Sequence, residues 1–341
     1  MNKMRRFWAA AAVCALSAPG VTNAQSFEVI GSRAAGMGGA FVGVADDASA
    51  VYWNPAGLAG GSYFSLVLDG GTREAIPDGT VRGSKQSTFL LAASMPALGL
   101  SYYRLRHSVA GPEPLILPDA GQPAPPIVGT PFVGVQTLVT HQAGVTFVQS
   151  LTQNIAVGST LKVVRGIAFT RISEPSSAEE ALDADDPEGR GTTRVDLDFG
   201  VMATVGKLKA GMTLRNLREP EFTSEEGQTL RLERQARAGA SYRLLPGLVL
   251  ASDFDLLRGT DAFGERLDAA FGLEGRVVRR GWVRTGFRFN MLDDDRGVGN
   301  RRAFTAGATF AVTASVMLDG LVISAGDHGG SGWGISGRFV Y

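Results

Sequence analysis

The sequence predicts an all-β protein, a transmembrane antiparallel β-barrel of about 14 strands with an N-terminal hatch inside the lumen. Three observations carry that expectation. Apolar and polar residues alternate with period two from about residue 62 to the last residue. The alternating segments are joined by tight turns and longer polar links, taken in turn. Just ahead of them, residues 36–57 read GMGGAFVGVADDASAVYWNPAG, a run of small residues with no such alternation.

Residues 1–24 have the layout of a secretory signal peptide. Lys3, Arg5 and Arg6 precede the apolar stretch Phe7–Ala18, and Thr22-Asn23-Ala24 supplies the small residues of a cleavage site. The apolar stretch is shorter than the roughly 20 residues a spanning helix needs, and Pro19-Gly20 ends it. Cys14, the only cysteine, lies within it, so the mature chain is expected to hold no thiol, which excludes disulfide stapling and cysteine-based sites. Lys plus Arg (33) balances Asp plus Glu (33), so no basic surplus points to nucleic acid. The 45 glycines are too many for a typical helical enzyme and follow no collagen triplet. After residue 24 no apolar run reaches about 18 residues, so helical membrane spans are not expected.

Residues 25–60 are the expected hatch. About eight strands already leave room for side chains or one small ligand, so a barrel of about 14 encloses more space than its own side chains fill. Ala34, Ala35, Gly36, Gly38, Gly39, Ala40, Gly43 and Ala45 would let this backbone lie close to the inner wall. Asp46 or Asp47 is placed to cap a short helix over Ala48–Trp53, which Pro55 and Gly57 would end.

Residues 61–341 are the expected barrel. In 302–318, Phe304, Ala306, Ala308, Phe310, Val316 and Leu318 share one face, with Thr305, Gly307 and Thr309 on the other. Segments 193–206, 230–244, 267–277 and 281–291 repeat the scheme with charged polar faces, including Asp196, Asp198, Arg237, Asp268, Glu274, Arg284 and Arg288. These signs are mixed, whereas an ion-selective pore tends to use one sign, so pairing across strands and anchoring of the hatch is the better role. A soluble sandwich alternates too, but many segments here run to about 10 residues, bilayer-crossing length, against about five or six for ordinary strands.

The links give the strand count. Tight turns are expected at 95–97, 151–154, 206–207, 245–247, 279–281 and 318–320, and longer links near 73–84, 108–134, 173–192, 218–228, 258–264, 292–302 and 326–331. That makes about 14 strands, with turns in the periplasm and loops outside. The closing strand ends on Phe339 and Tyr341, the aromatic terminus expected of a strand recognised by barrel-insertion machinery.

The stretch Gly31–Leu58, which holds Gly36, Gly38, Gly39, Asp46, Asp47, Asn54, Pro55, Ala56 and Gly57, resembles the N-terminal signature of the FadL/TodX (OMPP1) outer-membrane proteins and the related PorV-like group. The likeness is dense over about 30 residues and rests on architecture beyond residue 60. It implies a 14-stranded barrel plugged by its N-terminal hatch, with Asn54, Pro55 and Ala56 as the hatch motif. It also implies passive passage of hydrophobic molecules such as fatty acids or aromatic hydrocarbons. Link 108–134, with Leu115-Ile116-Leu117, suits the collection of greasy substrate, whereas 173–192 is acidic.

Other motifs fit less well. Asn54-Pro55-Ala56 is also the water-channel tripeptide, which needs two copies on half-helices, and this chain has one. Gly36-Met37-Gly38-Gly39 lacks the third glycine of a dinucleotide loop and follows no strand. His328 lies near Ser331, but Gly330-Ser331-Gly332 is not the G-x-S-x-G elbow of a hydrolase. Asp293-Asp294-Asp295 suits a solvated loop better than a cation or lipopolysaccharide site. Two principal functions follow: a channel for hydrophobic small molecules, or an outer-membrane accessory of a secretion or conjugation apparatus binding a protein at its external loops. No enzyme activity, cofactor or metal is expected. The expected surroundings are the lipid and lipopolysaccharide of a Gram-negative-type outer membrane.

Overall fold

The computed structural model describes residues 29–76, 83–112, 133–173, 182, 190–261, 264–292, 301–325 and 330–341. The expected signal peptide with Cys14, the centre of links 108–134 and 173–192, Asp293–Asp295 and His328 lie outside the described residues.

Ahead of the sheet come two short helices, α1 (Ser32–Gly36) and α2 (Ala50–Trp53), and a 3₁₀ turn over Pro55–Gly60. The strands then follow as β1 (Ser65–Ala75), β2 (Gly83–Met95), β3 (Leu98–Pro112), β4 (Val133–Ser150), β5 (Ile155–Ser173), β6 (Thr192–Val205) and β7 (Leu208–Arg215). Next are β8 (Glu221–Thr223), β9 (Thr229–Arg231), β10 (Gln235–Leu245), β11 (Leu248–Asp255), β12 (Gly259–Asp261) and β13 (Gly264–Arg266). The last are β14 (Asp268–Val278), β15 (Gly281–Asn290), β16 (Arg302–Ala311), β17 (Val316–Ala325) and β18 (Ser331–Val340).

Fourteen of these strands close into one ring, in the order β1-β18-β17-β16-β15-β14-β11-β10-β7-β6-β5-β4-β3-β2. Neighbours run antiparallel, and closure is made by β1 against β18, from Ser65 opposite Val340 to Glu74 opposite Ser331. A closed ring leaves no row of unpaired amides, which is why a sheet can stand in hydrocarbon only in this form. The short pairs β8–β9 and β12–β13 are hairpins within two of the longer links.

The alternation sorts as expected. On β16 and β17, Phe304, Phe310, Leu318 and Val322 are exposed, while Thr305, Thr309 and Asp319 between them are buried. A soluble sheet would bury the greasy set; here it faces out, where lipid would cover it. The buried apolar cluster is supplied largely by the N-terminal segment, with Ile30, Met37, Phe41, Tyr52, Trp53 and Leu58 against Leu90 and Tyr103 of the wall.

Five of the six tight turns fall where expected, and the sixth does not. The chain turns at 312–315, and Leu318-Asp319-Gly320 lies inside β17. A four-residue turn preserves odd–even parity, so the alternation runs through it in phase and hides it. Segment 230–244 is likewise two pieces, β9 ending at Arg231 and β10 beginning at Gln235. The short helix starts at Ala50, later than expected, with Ser49 as N-cap and no side-chain cap bond. Asp47 Oδ1 instead accepts the Ser49 amide at 3.0 Å, forming a turn ahead of the helix.

Candidate functional site

The site is the seat between the N-terminal segment and the strands. Ser32 donates its amide and hydroxyl to Asp69 Oδ2 on β1, both at 2.6 Å. Eleven residues later the Gly43 carbonyl accepts the Ser241 hydroxyl of β10 at 2.7 Å. In a ring of fourteen, β1 and β10 are seven places apart in either direction. Between these ties, Phe41 and Val42 both donate their amides to Asp253 Oδ2 on β11 at 2.8 Å. The Thr305 hydroxyl on β16 accepts from the Gly38 amide and donates to the Gly36 carbonyl, each at 3.0 Å. The helix-poor segment thus gives its backbone polar groups to strand side chains, as buried amides require.

Glycines on the strands let the two backbones approach. A Cβ on Gly158 would lie 2.5 Å from the Ala56 amide, one on Gly272 would lie 2.6 Å from the Met37 carbonyl, and one on Gly99 would lie 2.8 Å from Val51. Gly200 and Gly211 meet Asn54, Gly286 meets Gly38, and Gly307 meets Gly36. On the segment, a Cβ on Gly43 would lie 2.8 Å from the Ala240 backbone. At Gly158, Gly272, Gly286 and Gly43 the added Cβ would meet backbone below 3.0 Å and force it apart, the costly kind of overpacking.

Charge completes the seat at the tight-turn end. Arg33 pairs with Asp46 at 2.5 Å, Asp47 at 2.9 Å and Glu274 of β14 at 2.9 Å. Glu274 also holds Arg284 of β15 at 2.5 Å; Arg284 and Arg338 of β18 share Asp319 of β17, at 3.1 and 2.7 Å. Arg338 reaches back to Asp47 at 3.5 Å. Burial opposes the charge on Arg33, but Asp46 and Glu274 outweigh it and raise its pKa well above the usual value. Burial likewise works against the Asp47 carboxylate, and Arg33 and Arg338 overcome it, so its pKa lies below the ordinary carboxylate range. These groups border an open polar cavity of about 360 Å³. On the far arc, Lys162 of β5 pairs with Asp198 and Asp196 of β6 at 2.8 and 3.2 Å, and the Arg215 guanidinium stacks 3.5 Å above the Tyr52 ring.

The cavity beside Ser32, Asp69, Arg288 and Thr305 measures about 40 Å³. A benzene-sized guest needs roughly 150 Å³, so this space is too small for a hydrocarbon. Among the described residues no group of three or more His, Cys, Asp and Glu is arranged to hold a metal ion.

Solved structures match nearly the whole ring. A monoaromatic hydrocarbon channel, CymD, superposes with a TM-score of 0.63 at 12% identity, over 92% of this chain and 97% of that one. A FadL homologue of Pseudomonas aeruginosa gives 0.59 at 10% identity, covering 91% and 98%. The toluene transporter TodX of Pseudomonas putida gives 0.52 at 13% identity, covering 90% and 96%. The fold is that of the FadL and TodX channels. The family model described as "F plasmid transfer operon, TraF, protein" matches residues 133–255. No curated protein matches the chain.

Within this FadL-type barrel the expected hatch residues all lie at the seat, each in a different way. Gly36 ends α1, and Gly38 and Gly39 follow it with φ of +70° and +88°, a region glycine adopts without strain. Asp46 and Asp47 both face Arg33. Asn54 is fully buried; its Nδ2 donates to the Val42 carbonyl at 3.2 Å and to the Val201 carbonyl of β6 at 3.0 Å, while Oδ1 accepts the Ala56 amide at 3.2 Å. Pro55 opens the 3₁₀ turn rather than only ending α2, and Ala56 is fully buried. Gly57 faces the Ala45 carbonyl, which a Cβ would strike. Phe339 and Tyr341 lie apart from the seat, at the closing strand, where the Tyr341 amide donates to the Phe64 carbonyl at 2.9 Å. Sequence reasoning missed Arg33, Ser32, Asp69 and Asp253 as seat residues. The one available signal for the wall side was glycine on the inward positions of strands, as at Gly272 and Gly286.

Proposed function

We propose that the protein is an outer-membrane channel of a Gram-negative-type bacterium for passive uptake of hydrophobic small molecules, long-chain fatty acids or hydrocarbons, and that residues 25–60 are its hatch. The observation that carries this reading is the pair of ties at Ser32–Asp69 and Gly43–Ser241, on strands at opposite points of the ring. A segment tied at both points stands in a straight path along the barrel, and the 40 Å³ space beside Ser32 and Asp69 is too small for substrate, while the larger space at Arg33, Asp46 and Asp47 is polar. Uptake then requires the segment to shift. Because it is held by side-chain bonds and not by a β-ladder of its own, it can shift without opening the ring. The neighbours named for monoaromatic hydrocarbons and toluene support the substrate class.

A second reading, an accessory barrel of a conjugation apparatus binding a partner protein at the external loops, is favoured by the TraF-family match over 133–255. Uptake of labelled oleate and toluene into liposomes carrying the purified protein separates the two. Uptake above protein-free liposomes supports the channel. Liposomes no more permeable than controls, together with loss of plasmid transfer in a deletion strain, support the accessory.

A further inference from the structure

The rim at the tight-turn end is charged along one arc only. In ring order the turns β6–β7, β10–β11 and β14–β15 are consecutive. They and the strand ends beside them carry Lys207, Lys209, Arg243, Arg276, Arg279 and Arg280, and no Asp or Glu occurs in 202–212, 240–251 or 275–283. The other three tight turns are uncharged: 92–100, 147–157 and 309–317 hold no Lys, Arg, Asp or Glu. All the tight turns lie within the described residues, and the links that extend beyond those residues join strands at the opposite end. Lys209 is half-buried and the other five cations are exposed. Among the described residues none of the six pairs with a carboxylate; Asp46, Asp47 and Glu274, which border the mouth at this end, are held by Arg33, Arg284 and Arg338.

Register shows which way the strand-end cations face, because residues directly opposite in an antiparallel pair share a face. Lys209 stands opposite Ser241, whose hydroxyl bonds the Gly43 carbonyl of the N-terminal segment. Arg243 stands opposite Val249, which stands opposite the buried Glu274. Arg276 stands opposite Trp282, two residues before the buried Arg284. All three therefore lie on the lumen face, at its lip. The Arg276 guanidinium is 5.2 Å from the Trp282 ring centre, and Trp282 borders the same polar cavity as Arg33 and Asp47. The lipid-facing positions beside them are the exposed Leu208, Tyr242, Leu244, Val277 and Val283. The cations are thus sorted to the mouth and away from lipid. From the first of these turns to the third is four strand spacings, about 20 Å at about 4.8 Å each, longer than one carboxylate or one phosphate can occupy. A basic row of that length, with Trp282 and the exposed Leu245 and Val278 along it, complements a polypeptide segment that carries several carboxylates.

We propose that this arc of the rim is a docking surface for an acidic segment of a periplasmic protein, seated across the mouth with its carboxylates on Arg243, Arg276, Arg279 and Arg280. The surface rests on the outer-membrane placement given above, which puts the tight turns in the periplasm, and is independent of what the channel carries.

The test uses the full-length protein in phosphatidylcholine nanodiscs, with fluorescence anisotropy as readout. The probes are two fluorescein-labelled peptides of equal length, a Glu–Ala repeat and its Gln–Ala counterpart. The parent should bind the acidic peptide about tenfold more tightly than the neutral one, and added salt should shrink the difference. R243Q/R276Q/R279Q/R280Q should lose that preference and R243K/R276K/R279K/R280K should keep most of it. R218Q/R231Q/R234Q/R258Q, the same charge change at the loop end, should leave it unchanged. Equal binding of both peptides by the parent overturns the proposal, as does an unchanged preference in the rim glutamine variant. If that variant does not fold, energy transfer in the parent background decides: bound acidic peptide should transfer to an acceptor dye at Val278→Cys and not to one at Glu226→Cys, and equal transfer to both overturns the proposal. Native mass spectrometry covers the lipid alternative. Retention of phosphatidylglycerol over phosphatidylcholine, with no preference for the acidic peptide, assigns the rim to inner-leaflet lipid and overturns it too. Whole cells separate the two levels, since a membrane-impermeant maleimide should label Glu226→Cys and spare Val278→Cys. The reverse pattern removes the periplasmic placement, whereas the expected pattern with no peptide preference removes only the docking surface.

Discussion

Gly286 of β15 faces Gly38 of the N-terminal segment so closely that a Cβ on Gly286 would overlap the Gly38 amide nitrogen. Backbone lies on backbone there, and Gly38, at φ +70°, has the Phe287 amide nitrogen 3.0 Å from where its own Cβ would be. Gly38→Leu and Gly286→Leu should each force the segment off the wall, at a cost of about 1–3 kcal/mol from overpacking. The strands keep their own ladders, so the loss should show as leak and not as unfolding. Raised single-channel conductance and sensitivity to large antibiotics, with unchanged heat-dependent gel mobility, are the expected outcome. Parent-like conductance in both variants would refute the seat.

Deleting residues 27–57 should enlarge that leak, because it removes the ties to Asp69, Asp253, Thr305 and Ser241 together. Asn54→Ala should give a milder form, since it strips one partner each from the Val42 and Val201 carbonyls and from the Ala56 amide. Leaving such buried groups unmet costs about 1–3 kcal/mol each. Conductance of the deletion variant equal to that of the parent would mean that the segment does not obstruct the pore.

Asp47 should make the seat acid-sensitive. Its carboxyl pKa is lowered in the folded protein, against burial, by Arg33 and Arg338. A group with a depressed folded pKa contributes stability above its unfolded value, about 3.9, and loses it as pH falls through the folded value. Conductance should therefore rise as the bath is taken below about pH 4, and should hold steady between pH 5 and 8. Asp47→Asn should raise conductance at neutral pH and flatten the acid response. An acid response of unchanged size in that variant would assign the sensitivity to another group.

Truncation of Phe339–Tyr341 should impair insertion and leave the conductance of whatever barrel forms unchanged. Tyr341 and Phe64 exchange amide-to-carbonyl bonds at 2.9 and 3.1 Å beyond the end of β18, and the Phe64 and Phe339 ring centres are 6.1 Å apart. Removing them leaves the closing pair with unmet amides at the membrane edge, each costing several kcal/mol in hydrocarbon, so surface levels should fall about tenfold. Quantitative blotting of outer-membrane fractions checks this, and normal levels would make the terminal aromatics incidental.

Much of the fold was legible in the sequence because its determinants are local. Period-two patterning tells each strand which face is greasy, and the alternation of short and long links counts the strands, so about 14 strands and the outward face of each could be read directly. The small-residue stretch 36–57 marked itself as backbone meant to lie close to something. Local patterning failed only where it was blind, as at 312–315, where an even-numbered turn carries the alternation through unbroken.

The partners of the N-terminal segment were not legible, because they are set by where the ring closes and in what register. Pairing Ser65 with Val340 brings Asp69, Arg338, Asp319, Arg284 and Glu274 into reach of residues 32–47, although between 22 and more than 300 residues separate them along the chain. The same inward glycine is a weak point in an isolated strand and a contact surface once another backbone lies against it. By itself the sequence determined the wall, because strand faces and turns depend on neighbours in the chain. Only the tertiary structure decided the seat, because ring register, set by all fourteen strands together, selects which side chain meets Arg33, Gly38 or Asn54.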